Sequence, residues 1–390
     1  MKFSERLNLI QPYLFAELDR IKSEKEAQGA DIISLGIGDP GFPTAPFVVE
    51  AMKKAVEKPE NHQYPPYEGT SEFRSAMADF YKRRFGVTLN PKDEVLALIG
   101  SKEGIAHICM AVLDPGDVLL YPDPGYPVYK IGAAFSGAEG FPMPLLKENK
   151  FLPDFTKVPE NVARRAKMMF LNYPNNPTSA SADLDFYREA IRFAKKYEIL
   201  IASDNAYSEI FFDENNRPPS ILSVEGAKDV AVEFFSLSKP YNMTGWRIAS
   251  LLGDAKAVNA LGTFKKNIDS GTFTAVQEAG AVALREGDGF IAEMRKVYKK
   301  RRDKMCEGLK SMGINIEPPS CTFYLWAPTP GGLSSMEFTK TLLDKTGVMV
   351  TPGSGFGQYG EGYFRISLTL PDHRIDEAVE RMKKASLVVK

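Results

Sequence analysis

The chain has 390 residues, which at roughly 100–200 residues per domain predicts two or three domains. Its 49 Lys and Arg residues nearly balance 50 Asp and Glu residues, so the net charge is −1 and no strong overall attraction to nucleic acid or anionic membrane is expected. Hydrophobic residues make up 44% and charged residues 25%, which is typical of a globular protein with a large core.

The cysteines and histidines show no pattern of a disulfide framework or a metal site. Cys109, Cys306 and Cys321 stand far apart with no CxxC pair, as reduced thiols do. No two of the three histidines have helical i, i+4 spacing, so no His-based metal site is predicted. The N-terminus lacks a signal-peptide pattern, and the uncharged apolar stretch 318–336 contains four prolines. We therefore expect a soluble, cytoplasmic protein without a metal.

The first two thirds of the chain predict alternating helices and strands. In chain order these are helices at 47–58 and 72–85, a strand at 94–99, a helix at 101–113, strands at 117–121 and 167–172, a helix at 183–197, and strands at 199–203, 231–236 and 248–253. Short apolar strands between helices are typical of a mainly parallel sheet that is buried on both faces. The sequence therefore predicts an α/β domain.

The last third indicates a smaller α+β domain. A long, highly charged helix is predicted at 289–312. The pattern after it is strand, helix, strand, strand and helix, at 321–327, 335–346, 348–351, 363–370 and 375–385. We expect residues 1–45 to pack with this small domain, residues 46–285 to form the large domain, and residues 286–390 to form the small one.

One glycine-rich stretch imitates a dinucleotide site. Residues 36–41 (GIGDPG) match GxGxxG and follow a strand-like segment. In a dinucleotide site this loop opens directly into a helix, whose N-terminus holds the pyrophosphate. Here Pro43 and Pro46 keep the following backbone extended. A nicotinamide-dependent oxidoreductase is therefore disfavoured.

Polar residues gather where the predicted strands end, and ligands bind at that edge in open α/β sheets. They are Ser101, Lys102, Tyr126, Asn176, Asp204, Tyr207, Ser236, Lys239 and Arg247. Each alone has an ordinary explanation, such as a helix cap for Asp204 or a solvated charge for Lys239. Together they supply what pyridoxal phosphate requires: a Schiff-base amine, a carboxylate for the ring nitrogen, donors for the phenolic oxygen, and amides, hydroxyls and a cation for the phosphate.

Four segments carry a more specific signal. They are 172–178 (NYPNNPT), 204–207 (DNAY), 236–247 (SLSKPYNMTGWR) and 364–367 (FRIS). In this order and spacing they resemble the fold-type I aminotransferases (class I/II, the aspartate aminotransferase superfamily), and the resemblance covers essentially the whole chain. It implies a large domain with a seven-stranded, mostly parallel sheet flanked by helices, a small α+β domain, pyridoxal 5'-phosphate as cofactor, and a homodimer with shared active sites.

The resemblance also implies roles for single residues around the cofactor ring. Lys239 resembles the Schiff-base lysine and proton shuttle, and Asp204 resembles the partner of the pyridine nitrogen. Tyr207 and Asn176 resemble the partners of the phenolic oxygen. Tyr126 is similar to the aromatic residue that stacks on the ring.

A second group of residues resembles the family's phosphate site. It consists of the backbone amides of Ser101 and Lys102, the Ser236 hydroxyl and Arg247. Tyr64 resembles the tyrosine that reaches the phosphate from the neighbouring subunit. The resemblance therefore implies that a homodimer is obligatory for activity.

For the substrate, Arg365 resembles the arginine that grips the α-carboxylate with its planar fork, and Gly38 and Asn176 would help to hold it. The implied reaction is ping-pong. An amino acid displaces the lysine and leaves as a 2-oxo acid, and a second 2-oxo acid then takes up the amino group. Pro240 after the lysine and Ser179 after NNPT depart from the common pattern, and neither removes a catalytic group.

Several stretches are more similar to the LL-diaminopimelate aminotransferases than to other members. They are 64–69, 99–104, 122–129, 322–326 and 351–362. This resemblance implies transfer between LL-2,6-diaminopimelate and 2-oxoglutarate in lysine biosynthesis. The distal end of that substrate is itself an amino-acid group, and Glu68, Lys102 and Tyr324 are candidates for binding it. Simple loop or core packing is the alternative explanation for these three.

Other functions stay open at this point. An alanine or aspartate aminotransferase would share the fold and the cofactor. A pyridoxal-phosphate-dependent β-lyase would release pyruvate and ammonia without an acceptor. A non-enzymatic ligand-sensing relative would be fused to a DNA-binding domain, and no basic N-terminal helical module is present.

Overall fold

A computed structural model describes residues 1, 3–10 and 14–385. The α-helices of this part, α1 to α12, are Leu14–Ala27, Pro46–Val56, Ser71–Phe85, Ser101–Val112, Val128–Ser136, Glu160–Ala163, Leu184–Tyr197, Ala255–Lys265, Thr274–Glu286, Asp288–Ser311, Ser335–Thr346 and Asp372–Lys384. Its strands, β1 to β12, are Ile33–Ser34, Val95–Leu98, Val118–Asp123, Glu139–Pro144, Ala166–Asn172, Leu200–Asp204, Ala231–Ser236, Ala249–Gly253, Tyr324–Pro328, Val348–Met349, Thr351–Pro352 and Tyr363–Ser367. Among the described helices, none is both long and apolar enough to cross a membrane.

Seven strands form the central sheet in the order β2-β8-β7-β6-β5-β3-β4, and only β8 runs against the others. The sheet is apolar on both faces because helices cover both sides. In β7, for example, Phe234 packs into the core on one face and Phe235 into the core on the other. The predicted α/β fold with a seven-stranded, mostly parallel sheet is confirmed.

The central sheet brings the ends of its parallel strands to one edge. Strands β3, β5, β6 and β7 lie next to one another in parallel register, and each ends in a polar residue. These residues are Asp123, Asn172, Asp204 and Ser236. The loops that follow carry the other polar residues of the motifs, so the fold concentrates chemistry at this edge.

The C-terminal part forms a second core around a three-stranded antiparallel sheet in the order β11-β12-β9. The N-terminal segment joins this core, because β1 pairs in parallel with β10 and Ile33 lies opposite Val348. Asp31 adds an ion pair of 2.6 Å with Arg374. On these contacts we propose the division into residues 1–45, 46–285 and 286–390.

Three predicted strands of the C-terminal part have different bounds in the structure. The strand predicted at 363–370 ends at Ser367. The predicted strand 348–351 is two short strands in different sheets, because the backbone passes from one sheet to the other at Val350. The predicted strand 321–327 begins only at Tyr324. Its start is delayed because Thr322 has a φ of 65°, which no extended strand accommodates.

Sequence reasoning missed the helices α1, α5, α6, α8 and α9 and the strand β4. Strand β4 lies at the edge of the sheet and its sequence, EGFPMP, contains Pro142 and Pro144. Proline cannot donate to a neighbouring strand, so it weakens a strand pattern and is tolerated mainly at edges.

Candidate active site

A cavity of about 530 Å³ opens at the carboxyl edge of the central sheet. Twelve of the fourteen predicted site residues line it: Gly38, Ser101, Lys102, Tyr126, Asn176, Asp204, Tyr207, Ser236, Lys239, Arg247, Tyr324 and Arg365. The fold therefore brings together residues from nearly the whole length of the chain.

Lys239 lies three residues after β7 and points into the cavity. Its Nζ donates a hydrogen bond of 2.8 Å to the carbonyl oxygen of Gly38. Removal from water lowers the pKa of Lys239 to about 8, although the nearby Asp39 carboxylate opposes this change. The neutral, nucleophilic amine is consequently accessible near neutral pH.

Asp204 is buried at the end of β6. Its Oδ2 accepts a hydrogen bond of 2.7 Å from the Tyr129 hydroxyl. Its Oδ1 is buried and has no hydrogen-bond partner within the described residues. Burial raises the pKa of Asp204 to about 6, while the Tyr129 bond lowers it. A buried carboxylate oxygen without a partner is costly, and a cationic N–H donor in the cavity would satisfy it.

The start of α4 forms a second polar corner of the cavity. A Cβ on Gly100, whose φ is 84°, would lie 2.2 Å from an Arg247 guanidinium nitrogen, so glycine is needed there. Arg247 also donates a hydrogen bond of 2.8 Å to the Thr244 carbonyl. The buried Ser101 Oγ has no hydrogen-bond partner in the described part of the chain. Helix-start amides, a hydroxyl and a guanidinium together suit a phosphate group.

Arg365, in β12, is only 1% exposed. It donates hydrogen bonds of 2.7 Å to Oδ1 of Asn176 and 2.5 Å to the Gly36 carbonyl. Both acceptors are neutral, so these bonds orient the guanidinium without neutralising its charge. Its central carbon lies 4.2 Å from the centroid of the Tyr324 ring. A planar cation held in this way suits a carboxylate.

The glycine-rich stretch 36–41 forms a wall of this cavity. A Cβ on Gly38 would lie 1.8 Å from the Tyr324 hydroxyl, so only glycine permits this approach. The Tyr324 hydroxyl is in turn 3.1 Å from that of Tyr207, whose pKa is raised well above its usual value by burial. The next helix begins only at Pro46, and the stretch therefore lacks the helix start of a dinucleotide site.

Tyr64 and Glu68 do not line the cavity of their own chain. The Tyr64 side chain is 88% exposed. The Glu68 carboxylate forms an ion pair with Lys266 instead. These two predicted site residues therefore lie outside the cavity that the single chain forms.

Sequence reasoning missed two side chains that organise the strand ends. Tyr129 anchors Asp204 but lies in α5, a helix that was not predicted. Asn172 donates a hydrogen bond of 2.7 Å to the Asp204 carbonyl and accepts one of 2.9 Å from the Asn176 amide. Asn172 is the first residue of the NYPNNPT segment, so membership in the motif was the available signal.

Further lining residues were not singled out from the sequence: Asp19, Ile37, Asp39, Ile105, Ala206, Ser238, Thr244 and Gly245. Three of them fall inside the segment 236–247, and Asp39 falls inside the stretch 36–41. Membership in a motif is therefore the signal in the sequence for these four residues. No pattern in the sequence marks Asp19.

Comparison with known proteins identifies the family. The sequence matches the family "Aminotransferase class I and II" over residues 30–382. The chain therefore belongs to the class I and II aminotransferases and is a pyridoxal-phosphate-dependent transaminase. The orphaned Asp204 oxygen, the Lys239 amine and the anion corner at α4 fit this cofactor.

Particular relatives agree with that assignment. The chain is 56% identical over 386 residues to the LL-diaminopimelate aminotransferase of Aquifex aeolicus, which covers 99% of this chain and 100% of the relative. It is 54% identical over 383 residues to the enzyme of that name from Nitratidesulfovibrio vulgaris, covering 98% and 99%.

Solved structures give the same result. Substrate-bound BacF from Bacillus subtilis has a TM-score of 0.95 at 39% identity and covers 98% of both chains. A probable N-succinyldiaminopimelate aminotransferase from Thermus thermophilus has a TM-score of 0.90 at 36% identity, covering 95% of this chain and 100% of the other. The predicted resemblance, fold, enzyme class and cofactor are confirmed.

Proposed function

We propose that this aminotransferase moves the amino group between LL-2,6-diaminopimelate and 2-oxoglutarate in lysine biosynthesis. The observation that carries the chemistry is the meeting of Lys239, Asp204 and Arg365 in one cavity. Curated relatives at 52–56% identity that bear the name LL-diaminopimelate aminotransferase support the choice of substrate.

We assign the cofactor to the polar groups at the strand ends. When bound, pyridoxal phosphate supplies an aldehyde for amine exchange and an electron sink for the carbon that loses its proton. Asp204 Oδ1 would accept the hydrogen bond of the ring nitrogen, and Tyr126 would stack on the ring. Tyr207 and Asn176 would serve the phenolic oxygen.

The phosphate would lie at the start of α4, where the helix dipole favours an anion. Ser101, Lys102, Ser236 and Arg247 would hold it. These residues come from two parts of the chain, the start of α4 and the segment 236–247, so both parts would fix the phosphate end of the cofactor.

Lys239 acts as the base in this proposal. Its Nζ would take the proton from the substrate α-carbon and deliver it to the cofactor carbon that receives the amino group, and the second half-reaction would reverse this transfer. A pKa of about 8 suits this task, because the amine gains and loses a proton readily near neutral pH. The Gly38 carbonyl, 2.8 Å away, orients the amine between transfers.

Arg365 binds the α-carboxylate in this proposal, assisted by Asn176 and the backbone at Gly38. A bidentate pair fixes both the position and the plane of the carboxylate. The bound amino acid thereby presents its α-carbon to Lys239.

The distal end of LL-2,6-diaminopimelate carries one ammonium and one carboxylate, so its site must offer both signs of charge. The cavity lining does so, with Lys102 as a cation and Asp19 and Asp39 as acids. Tyr324 adds a hydroxyl in the same cavity. Glu68 would join from the second subunit.

Arg365→Lys is expected to lower kcat/KM for both substrates by about 100-fold, because an ammonium cannot form two parallel bonds to a carboxylate. Steady-state kinetics with each amino acid and oxo acid measures this. The matched control is Arg301→Lys, a change at another buried arginine, which pairs with Asp372 outside the cavity. An equal loss in both variants would contradict the role of Arg365.

We also propose a cytoplasmic homodimer with shared active sites. The exposed Tyr64 supports the shared site. The three cysteines are free and buried, as thiols of a cytoplasmic enzyme commonly are.

A hybrid dimer tests the shared site. Tyr64→Ala and Lys239→Ala subunits, each with a different affinity tag, are co-expressed and the doubly tagged dimer is isolated. If each Tyr64 serves the partner's site, one site keeps both native residues, and about half of the wild-type activity is expected. If Tyr64 serves its own chain, the hybrid has no intact site and shows at most about half of the activity of the Tyr64→Ala enzyme.

A half-reaction tests the substrate. LL-2,6-diaminopimelate, glutamate, aspartate and alanine are each added to the holoenzyme without an acceptor, and the absorbance of the cofactor is followed. We expect the first two to convert the cofactor to its aminated form and the others to react at least about tenfold more slowly, a difference of 1.4 kcal/mol in the barrier. Faster conversion by aspartate or alanine would contradict the proposed substrate. None of these acids carries a leaving group on Cβ, so the β-lyase alternative is tested separately with O-acetylserine. Its conversion to acetate, pyruvate and ammonia without an acceptor would favour that alternative.

A further inference from the structure

A glycine-rich loop, residues 353–362, connects β11 to β12 and rests on the end of β3 in the central sheet. The contact is made by Asp123, which is 5% exposed. Its carboxylate accepts backbone hydrogen bonds of 3.0 Å from Tyr359 and 3.3 Å from Gln358. A residue of the large domain thus holds two amides of the C-terminal part.

The glycines of this loop make that contact possible. Gly357 has a φ of 136°, and a Cβ there would lie 2.1 Å from an Asp123 carboxylate oxygen. A Cβ on Gly353 would lie 2.0 Å from the Gly360 carbonyl oxygen. The loop therefore folds tightly on itself and against the carboxylate, which no side chain at these positions would permit.

The same loop reaches the active-site arginine through Phe356. The Phe356 carbonyl accepts a hydrogen bond of 2.8 Å from the Gly125 amide, two residues after Asp123. The buried Phe356 ring has its centroid 4.8 Å from the guanidinium carbon of Arg365. Tyr324, at 4.2 Å, is a second ring that flanks this guanidinium.

We propose that Asp123 is a positioning residue for substrate binding: it fastens the glycine-rich loop to the large domain and so fixes Phe356 beside Arg365. This inference rests on the proposed role of Arg365 as the α-carboxylate site. Asp123 does not line the cavity, so its effect on the substrate is indirect. The two carboxylate oxygens of Asp123 accept from two backbone amides. An asparagine side chain has only one oxygen, so its N–H₂ group would face one of these amides and could not accept from it.

Two variants remove this contact from opposite sides. Asp123→Asn removes one acceptor, and Gly357→Ala places a methyl group against the carboxylate. We expect both to raise KM for LL-2,6-diaminopimelate and for 2-oxoglutarate about tenfold, with kcat within about twofold, because a hydrogen bond to a charged group is lost while the reacting groups stay in place. The absorbance spectrum of the bound cofactor is expected to stay unchanged.

Gly362→Ala is the matched control. Gly362 lies in the same loop with a φ of 81°, but a Cβ there meets no atom within 4 Å. The Gly362→Ala variant therefore has a similar strain from a side chain at positive φ, but its methyl group does not contact Asp123. We expect its KM values to stay at the wild-type level.

Hydrogen exchange of the holoenzyme gives a second readout that is independent of turnover. Peptides covering 353–362 are expected to exchange faster in Asp123→Asn than in the wild type, while peptides covering β5 and β6 keep their rates. Unchanged KM values or unchanged loop exchange would overturn the inference. A parallel loss of kcat and of the cofactor spectrum would also overturn it, since that indicates general damage. A wild-type enzyme that transaminates none of the acids contradicts the proposed function instead.

Discussion

Lys239→Ala is expected to lower kcat by at least about 10⁴-fold, the upper range for loss of a general base, because the same amine also binds the cofactor. Its Nζ donates to a backbone carbonyl, that of Gly38, which cannot take over the transfer of a proton. Turnover is measured with LL-2,6-diaminopimelate and 2-oxoglutarate at saturating concentrations. A residual rate above about 1% of wild type would contradict the assignment.

Lys239→Arg is the matched variant for this test. It keeps the positive charge and most of the length, but a guanidinium stays protonated in proteins and cannot act as a base. We expect it to be as inactive as the alanine variant. If Lys239→Arg were active and Lys239→Ala were not, the positive charge of Lys239 would be the essential property, rather than its ability to transfer a proton.

The pH dependence of Lys239 can be measured without turnover. In the apoprotein, its reaction with an aldehyde reagent is expected to rise with pH with a midpoint near 8, instead of near the ordinary lysine value of 10.5. The sign follows from burial, which disfavours the charged form, and only the neutral amine attacks an aldehyde. A midpoint above 10 would show that the amine is fully hydrated.

The central residues of the site could be predicted because their signals are local. Asp204 ends a short apolar strand, Lys239 follows another by three residues, and both stand in characteristic segments. Parallel strands bring such ends to one edge whatever the details of packing. A pattern of strands and a few motifs therefore defined most of the cavity.

The remaining parts depend on contacts that no local pattern encodes. Tyr129 reaches Asp204 across 75 positions of the chain, and the helix that carries it was not predicted. Gly38 must be glycine because of Tyr324, a residue far along the sequence. The Asp123 contact with the glycine-rich loop likewise depends on tertiary packing, because it joins the end of β3 in the central sheet to the loop between β11 and β12. Such pairs are fixed by tertiary packing, so they become visible only in the structure.

Asp204→Asn is expected to lower kcat by roughly 10³-fold, the upper range for loss of a preorganised electrostatic group. The carboxylate oxygen Oδ1 is buried and has no partner among the described residues, so its charge is available to the protonated ring nitrogen of the cofactor. An amide oxygen at the same place is neutral and stabilises that proton much less. Single-turnover kinetics and the cofactor spectrum measure the effect together, and an unaltered spectrum with wild-type kcat would contradict the pairing.

Glu233→Gln is the control for simply losing a buried acid. Glu233 is 0% exposed in the neighbouring strand β7 and accepts hydrogen bonds from Tyr81, Asn205 and Ser220. It does not line the cavity. Its variant is expected to be less stable but to keep kcat per folded molecule within about twofold, because it leaves the transition-state contacts in place. Equal losses of kcat in both variants would assign the effect of Asp204→Asn to packing.

Asp204→Asn is expected to have a favourable effect on the stability of the apoprotein, in contrast to its effect on kcat. Burial raises the pKa of Asp204 from 3.8 to about 6, so the folded state binds more protons than the unfolded state in this range. The stability that this group contributes is present below pH 4 and is lost as the pH rises through 6, by about 3 kcal/mol. Asp204→Asn should lack that loss. Between pH 4 and pH 7, the free energy of unfolding measured in urea should therefore fall more for the wild-type apoprotein than for the variant. The buried Asp204 carboxylate lowers the stability of the apoprotein. The protonated ring nitrogen of the bound cofactor would restore that stability, as expected for a carboxylate that binds a cofactor.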